Sequence, residues 1–261
     1  MKQHYIRTVL LVFLAFTGRT VSAQFGLPTG FDVKTFQKNE DQAMWFLQYD
    51  SAYQAVATFD HLGSDKDFIC IPDKKNWKVV VGTLDAETGF KAGAAYYIVD
   101  AKKAVTVSDK KKFDTLTVAA MGRALYSSNQ SVTKANISAP GGWRKFTKVN
   151  DDKSITVWEF CDTDASGNIW YGPECAYYYS ADGKNLSTSK VVNKTPLMAG
   201  KSGTTLNLSC PTDKMPTIGA MWVARRFMLQ YPEVNIAYKT GTSTLRYNTT
   251  EKTYAWEHAA N

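Results

Sequence analysis

Three carboxylates, Glu159, Asp162 and Glu174, fall around the end of one expected hairpin. Two carboxylates facing each other across a cleft are the minimum equipment for general acid–base or glycosidase-type chemistry. These three are therefore the acid/base candidates of the chain. Other reagents are scarce. The sequence has three histidines, and His4 lies in a stretch that reads as a leader, leaving His61 and His258. Two histidines alone cannot build a multi-histidine zinc site, and a Ser-His-Asp or Cys-His arrangement would have to use one of them. His61, in "FDHLGSD", reads as a residue at a helix C-terminus, where it meets the helix dipole. His258 falls in a C-terminal tail expected to be mobile. No P-loop, dinucleotide fingerprint, GxSxG or HExxH is present. Asp85 and Glu87 sit at turn spacing in "GTLDAETGFKAG", and "DTDASGN" lacks the spacing and final bidentate Glu of an EF-hand. The residues name no catalytic group, no metal ligand and no cofactor.

The four cysteines, Cys70, Cys161, Cys175 and Cys210, include no CxxC pair, which argues against a redox motif or a zinc ribbon. Their compartment follows from the N-terminus. Lys2 and Arg7 precede the apolar run Val9 to Phe16, and Val21 and Ala23 supply the small residues a signal peptidase reads. The expected cut after Ala23 makes Gln24 the mature N-terminus and places the protein outside the cytoplasm, secreted or periplasmic. The run is far shorter than the about 20 residues a membrane helix needs, and no later stretch is apolar for long enough. In an oxidising compartment an even cysteine count reads as disulfides. Cys161 and Cys175 flank a polar excursion between two strands and form the expected pair, leaving Cys70 with Cys210. Cys210 beside Pro211 is the alternative, a reactive thiol, but no base accompanies it in sequence.

Losing Lys2, Arg7 and Arg19 with the leader lowers the formal net charge from +7 to +4. Lysine clusters at 74–75, 102–103 and 110–112 are interleaved with aspartates, which describes solvated turns rather than a phosphate-tracking stripe. Nucleic acid is excluded as the expected partner.

The elements that must position these residues are mostly short strands. Aromatic residues make up 13% of the chain, many in alternating runs such as "AAYYIV" and "AYYYSA" that suit a pleated, half-buried surface. A helix is predicted over "NEDQAMWFLQYDSAYQAVATF", capped by Asn39, with Met44, Leu47, Ala52, Ala55, Val56 and Phe59 on its buried face. "FDTLTVAAMGRALYSS" is a second helix, and a third follows Pro216 and Thr217, burying Ala220, Val223, Ala224, Phe227, Met228 and Tyr231 before Pro232 stops it. Strands cluster with strands, so the fold class is α+β with mainly antiparallel sheet and about three helices. "ISAPGGW" is the strongest breaker. It divides residues 24–139 from residues 143–261, two α+β halves that either stand apart or run together as one domain. No fixed-period repeat is visible.

The segment "VWEF…IWYGPECAYYYSADGKNL…TLNLSCPTDKMPTIGAMW" resembles a family of uncharacterised secreted bacterial proteins, with a tyrosine-rich strand, a DG turn, a strand, and Pro-Thr before a helix. The order of elements in the C-terminal third is also similar to the JAB/MPN metalloprotease fold, whose zinc ligands come from an HxHP run and a later SxxD. Pro211 matches the proline, but Leu208 and Cys210 stand where the histidines would be, and Thr217 and Ala220 where the Ser and Asp would be. The resemblance implies a copy without the zinc ligands.

The function expected from this is an exported, non-catalytic globular protein that binds a protein or a surface glycan through aromatic side chains among Trp143, Trp158, Trp170, Trp222 and Tyr177 to Tyr179. The alternative is a carboxylate-dependent extracytoplasmic hydrolase. A cleft with facing carboxylates would favour the enzyme, and an exposed aromatic patch the binder.

Overall fold

The computed structural model describes residues 26–61, 66–99, 104–108, 113–212 and 214–261. The leader, Gln24 and the lysines at 102–103 and 110–112 lie outside the described residues. Helix α1 (Val33–Phe59) leads into strands β1 (Asp67–Asp73), β2 (Asn76–Asp85), β3 (Gly89–Val99) and β4 (Ala104–Val107). Helix α2 (Thr115–Lys134) then leads into β5 (Trp143–Val149), β6 (Ile155–Cys161), β7 (Trp170–Tyr171), β8 (Glu174–Tyr179) and β9 (Leu186–Asn193). The chain closes with β10 (Leu197–Met198), β11 (Gly200–Ser202), β12 (Thr205–Ser209), helix α3 (Ile218–Phe227), β13 (Glu233–Tyr238), β14 (Gly241–Asn248) and β15 (Thr253–Ala260). This is an α+β fold. Its sheets are antiparallel except where β12 and β13 run parallel on either side of α3.

Two four-stranded sheets, in the orders β1-β2-β3-β4 and β5-β6-β8-β9, approach each other at the edges β1 and β5. Strand parity divides their side chains. Ile69, Val80, Ile155, Val157, Cys175, Tyr177 and Tyr179 pack with Val118, Met121, Leu125 and Val132 of α2. Cys70, Val79, Val81, Phe146, Trp158 and Phe160 pack instead with α1 and α3. The third sheet, β11-β12-β13-β14-β15, closes the far side of α1 and α3 with Leu206, Leu208, Val234, Ile236 and Leu245. Both cores draw on residues from each side of the 139–143 breaker. A helix followed by four antiparallel strands occurs twice, as α1 with β1–β4 and as α2 with β5, β6, β8 and β9.

The start of α1 differs from the sequence reading. The cap is Asp32, in extended conformation, whose side chain accepts from the Lys34 and Thr35 amides. Asn39 lies inside the helix. The buried residues are Phe36, Glu40, Ala43, Phe46, Tyr49, Asp50, Ala52 and Val56. The expected single stripe is absent because α1 lies between two layers and is covered on more than one side. Thr217 caps α3 as expected, accepting from the Ala220 amide at 3.1 Å. That helix ends at Phe227, a turn before Pro232.

Two hairpin turns grip α2 from outside. Gly89 and Gly183 have φ of +84° and +72°, and a Cβ on either would strike the carbonyl oxygens of Ala119 and Ala120, respectively. Arg123 ties both turns to the helix, its Nε donating to Asp182 O at 2.8 Å and its Nη1 to Thr88 O at 3.4 Å. Gly167 has a similar φ, +77°, but open space around it. Gly183→Ala is therefore expected to lower stability by about 3 kcal/mol, and Gly167→Ala by about 1 kcal/mol, the left-handed backbone term alone. Denaturant melts of the two variants check this, and equal losses would remove the steric contact with α2 from the account.

Candidate functional site

Alternation along β6 and β8 decides what the three carboxylates can do. The ladder pairs Glu159 with Cys175 and Phe160 with Glu174. Glu159 therefore points toward α2, whereas Glu174 points toward α3 on the opposite face of the sheet. Glu159 is wholly buried and neither carboxyl oxygen has a hydrogen-bond partner. Ser128 lies beside it, with its hydroxyl donating to Leu125 O at 2.9 Å. Burial raises the Glu159 pKa, with the neighbouring Ser128 hydroxyl and Lys145 across the strand opposing only in part. Glu174 is also buried and raised by burial, and its Oε2 accepts from the Gly219 amide at 3.0 Å in the first turn of α3. That carboxylate satisfies a helix N-terminus, where negative charge is favoured.

Asp162 belongs to a third setting. Its carboxylate meets Arg226 Nη1 at 2.5 Å and Arg144 Nη2 at 2.8 Å, while Arg144 Nη1 lies 3.3 Å from Asp50. Arg226 Nε is 3.9 Å from the same Asp50. Two arginines and two aspartates close a neutral network joining α1, β5, the end of β6 and α3. Burial would raise Asp162, but Arg226 and Arg144 together outweigh it and hold its carboxyl below the ordinary value. Sequence reasoning missed this network, because its members are distant in the chain and carry no motif. The candidates thus serve a buried acid, a helix cap and an ion network, in three places rather than one.

All four cysteines are free thiols, so neither expected disulfide is formed. The β6–β8 register explains the first pair. Cys175 stands opposite Glu159, which leaves Cys161 diagonal to it, two residues along the same face. Diagonal neighbours sit about 7–8 Å apart, beyond the span a disulfide bridges without backbone movement. Cys70 lies on β1 beside Tyr49, whereas Cys210 follows β12 near Thr217 and Glu174. Burial pushes the Cys210 thiol up to about 11, the reverse of what a nucleophile needs.

His61 follows the α1 C-cap with φ of 49° and is exposed. His258 is not in a loose tail. It is fixed on β15 opposite Ser243 of β14, because β15 runs to Ala260. Among the described residues, no group of three His, Cys, Asp or Glu side chains is placed to hold a metal ion, and no helix is long and apolar enough to cross a membrane.

The aromatic candidates divide similarly. Trp158, Trp222, Tyr177 and Tyr179 are core, while Trp143, Trp170 and Tyr178 are half-buried. A patch that the sequence reading did not single out lies where the inner face of the third sheet runs past the end of α3. Tyr247 and Tyr254 stand opposite each other across β14 and β15 with ring centroids 5.1 Å apart. Tyr254 donates to Met228 O at 2.6 Å, and the Tyr247 amide donates to Pro232 O at 3.1 Å. Leu229 beside them is 55% exposed and Tyr247 37% exposed. "LRYN" and "TYAWE" place one tyrosine on each strand beside the turn of one hairpin, the hint the sequence offers.

Comparison with known proteins gives no match to a family model, to a curated protein or to a solved structure.

Two substitutions separate the buried charges. Asp162→Asn leaves Arg144 and Arg226 under-neutralised, and about 3 kcal/mol of stability should be lost in urea unfolding at neutral pH. Glu159 behaves in the opposite sense. Its folded pKa lies above the ordinary value of 4.5, so the native state holds the extra proton. Its contribution is fully present below about pH 4.5 and is lost as pH rises through the folded pKa. Relative to Glu159→Gln, the wild-type unfolding midpoint should fall as pH rises above about 4.5. Parallel pH profiles for the two proteins would contradict a Glu159 pKa raised by burial.

Proposed function

We propose that the protein is exported after cleavage near Ala23 and acts as a non-catalytic binding protein, engaging an extracytoplasmic protein or a surface glycan through the Leu229–Tyr247–Tyr254 patch. The observation that carries this reading is the exposed Tyr247 ring against the half-buried Tyr254. Half-open tyrosines in contact present apolar ring surface together with a polar hydroxyl, the composition favoured at binding surfaces. The rival reading, a carboxylate-dependent hydrolase, needs two of Glu159, Asp162 and Glu174 on one cleft. Glu159 and Glu174 are buried on opposite faces of a sheet, and Asp162 is held by two arginines.

The test is binding of the purified protein to cell-surface material, comparing wild type with Tyr247→Ala and with Lys201→Ala, a change in the same sheet away from the patch. Tyr247→Ala should weaken binding about tenfold or more, and Lys201→Ala should leave it unchanged. Protease treatment of the surface abolishes binding if the partner is a protein, and periodate abolishes it if the partner is a glycan. Equal binding by all three proteins would sink the patch as the site.

A further inference from the structure

The segment from Gly26 to Asp32 forms a strap across the end of the third sheet. Gly26 O accepts from the Ala260 amide at 3.2 Å, and the Phe31 amide donates to Pro28 O at 3.0 Å. The Phe31 ring lies 5.3 Å from Phe36 and 6.4 Å from Tyr238 between centroids. The His258 imidazole fills the middle of this box, 4.4 Å from Phe31 and 4.5 Å from Phe36. Its Nδ1 is 2.9 Å from Ser243 Oγ, which is 3.3 Å from the Tyr238 hydroxyl. Ser243 and Tyr238 are both buried.

We propose that His258 is an acid-sensitive latch: its neutral imidazole holds the Gly26–Asp32 strap in place, and protonation releases the strap and uncovers the Phe31, Phe36 and Tyr238 rings. The inference is independent of the tyrosine patch, since it concerns a different end of the sheet and needs no partner.

Hydrogen-bond direction supplies the first reason. A neutral imidazole can accept at Nδ1 from Ser243, which in turn accepts from Tyr238. An imidazolium can only donate, so the Ser243 hydroxyl would have to turn its proton away from Nδ1 and leave it without that acceptor inside a buried site. Charge supplies the second. The strap and α1 face the ring with Phe31 and Phe36, β13 and β14 face it with Tyr238 and Ser243, and Trp256 adjoins on β15. Tyr238 is the one titratable group among these, and burial raises its phenol, so it stays neutral. Asp32 is turned into the first turn of α1, and Glu257 meets Arg246. Burial is the only cause acting on the imidazole, and it lowers the pKa from 6.5 to about 4. A released imidazole regains the ordinary value. Strap docking is thus at full strength above about pH 6.5 and weakens as pH falls toward about 4.

Digestion with an acid protease at pH 4 tests the latch, comparing wild type with His258→Gln at one pH so that the protease itself is constant. The shift corresponds to a released population on the order of 100-fold larger at pH 4 than at pH 7.5. Wild type should be cut beside Phe31 much faster than His258→Gln, with far-UV circular dichroism unchanged. Because His258→Gln could itself loosen the strap, the wild-type NMR titration is the second measurement: Gly26, Gly30 and Phe31 resonances should move with the His258 midpoint. Equal cleavage of both proteins accompanied by an imidazole titration that leaves the strap resonances in place would overturn the proposal, as would loss of the whole dichroism signal over the same range.

Discussion

One phenol sits at the seam of the molecule. Tyr49, on α1, reaches the line where two separate sheets meet edge to edge. Its hydroxyl accepts from the Cys70 amide of β1 at 3.2 Å and lies 3.1 Å from Thr147 Oγ of β5. Two sheet edges that meet without continuous pairing leave backbone groups inside the core. Each unsatisfied one would cost about 1–3 kcal/mol. Tyr49 answers one of them directly. Burial drives its phenol pKa far above the ordinary value, so it stays a neutral hydroxyl able both to donate and to accept. Phe46, one turn earlier, packs at 4.6 Å from Phe146 and 5.1 Å from Phe160, so the same helix face fixes the second sheet against α1. With each aromatic pair contributing about 1 kcal/mol beyond its burial, the seam rests on packing, and the hydroxyl sets the alignment.

The charges inside the molecule follow the same logic. α1 lies between layers, and two of its acidic residues, Glu40 and Asp50, are buried. Glu40 is paired with Arg225 of α3, whose guanidinium also lies 5.7 Å from the Trp256 ring. Asp50 is paired with Arg144 and lies 3.9 Å from Arg226. These pairs fix the rotation of α1 against α3 and the first strand of the second sheet. Removing a partner is expensive because the remaining charge stays buried, although the intact pair adds little net stability over an apolar substitute. Their role is to specify one arrangement of the layers.

Strands and their turns were readable in the sequence, because period-two alternation and Asx/Gly turns are local. The fold class and the cap at Thr217 follow from signals within a few residues. What could not be read are consequences of register and layering. Glu159 and Glu174 look adjacent on a hairpin, yet the excursion between β6 and β8 shifts the pairing so that Cys175, not Glu174, stands opposite Glu159. A one-residue change in register exchanges the faces of every side chain on the strand. Cys161 and Cys175 share a face, but the register leaves them two residues apart along the ladder. The α1 start was misplaced because a helix covered on several sides has no single apolar stripe to mark its limits. The repeated helix-plus-four-strand order left no fixed period, since the β6–β8 excursion, absent from the first unit, interrupts the spacing.

These constraints bear on function through what they leave available. The three candidate carboxylates are each placed apart: Glu159 buried under α2, Glu174 at a helix end, Asp162 between arginines. A side chain whose partners are fixed by packing cannot also turn toward a substrate without disturbing the layers it joins. The outer side of the third sheet is polar and internally paired, with Asn235 bonded to Asn207 and Thr244, and Arg246 bonded to Glu233 and Glu257. Against that background the exposed Tyr247, against Tyr254 at the β14–β15 end, is out of character. Tyr247 lies on the inward face of the sheet but past the end of α3, where no helix covers it. An aromatic side chain left uncovered by the fold's own layers offers apolar surface, and Leu229 next to the end of α3 adds to it.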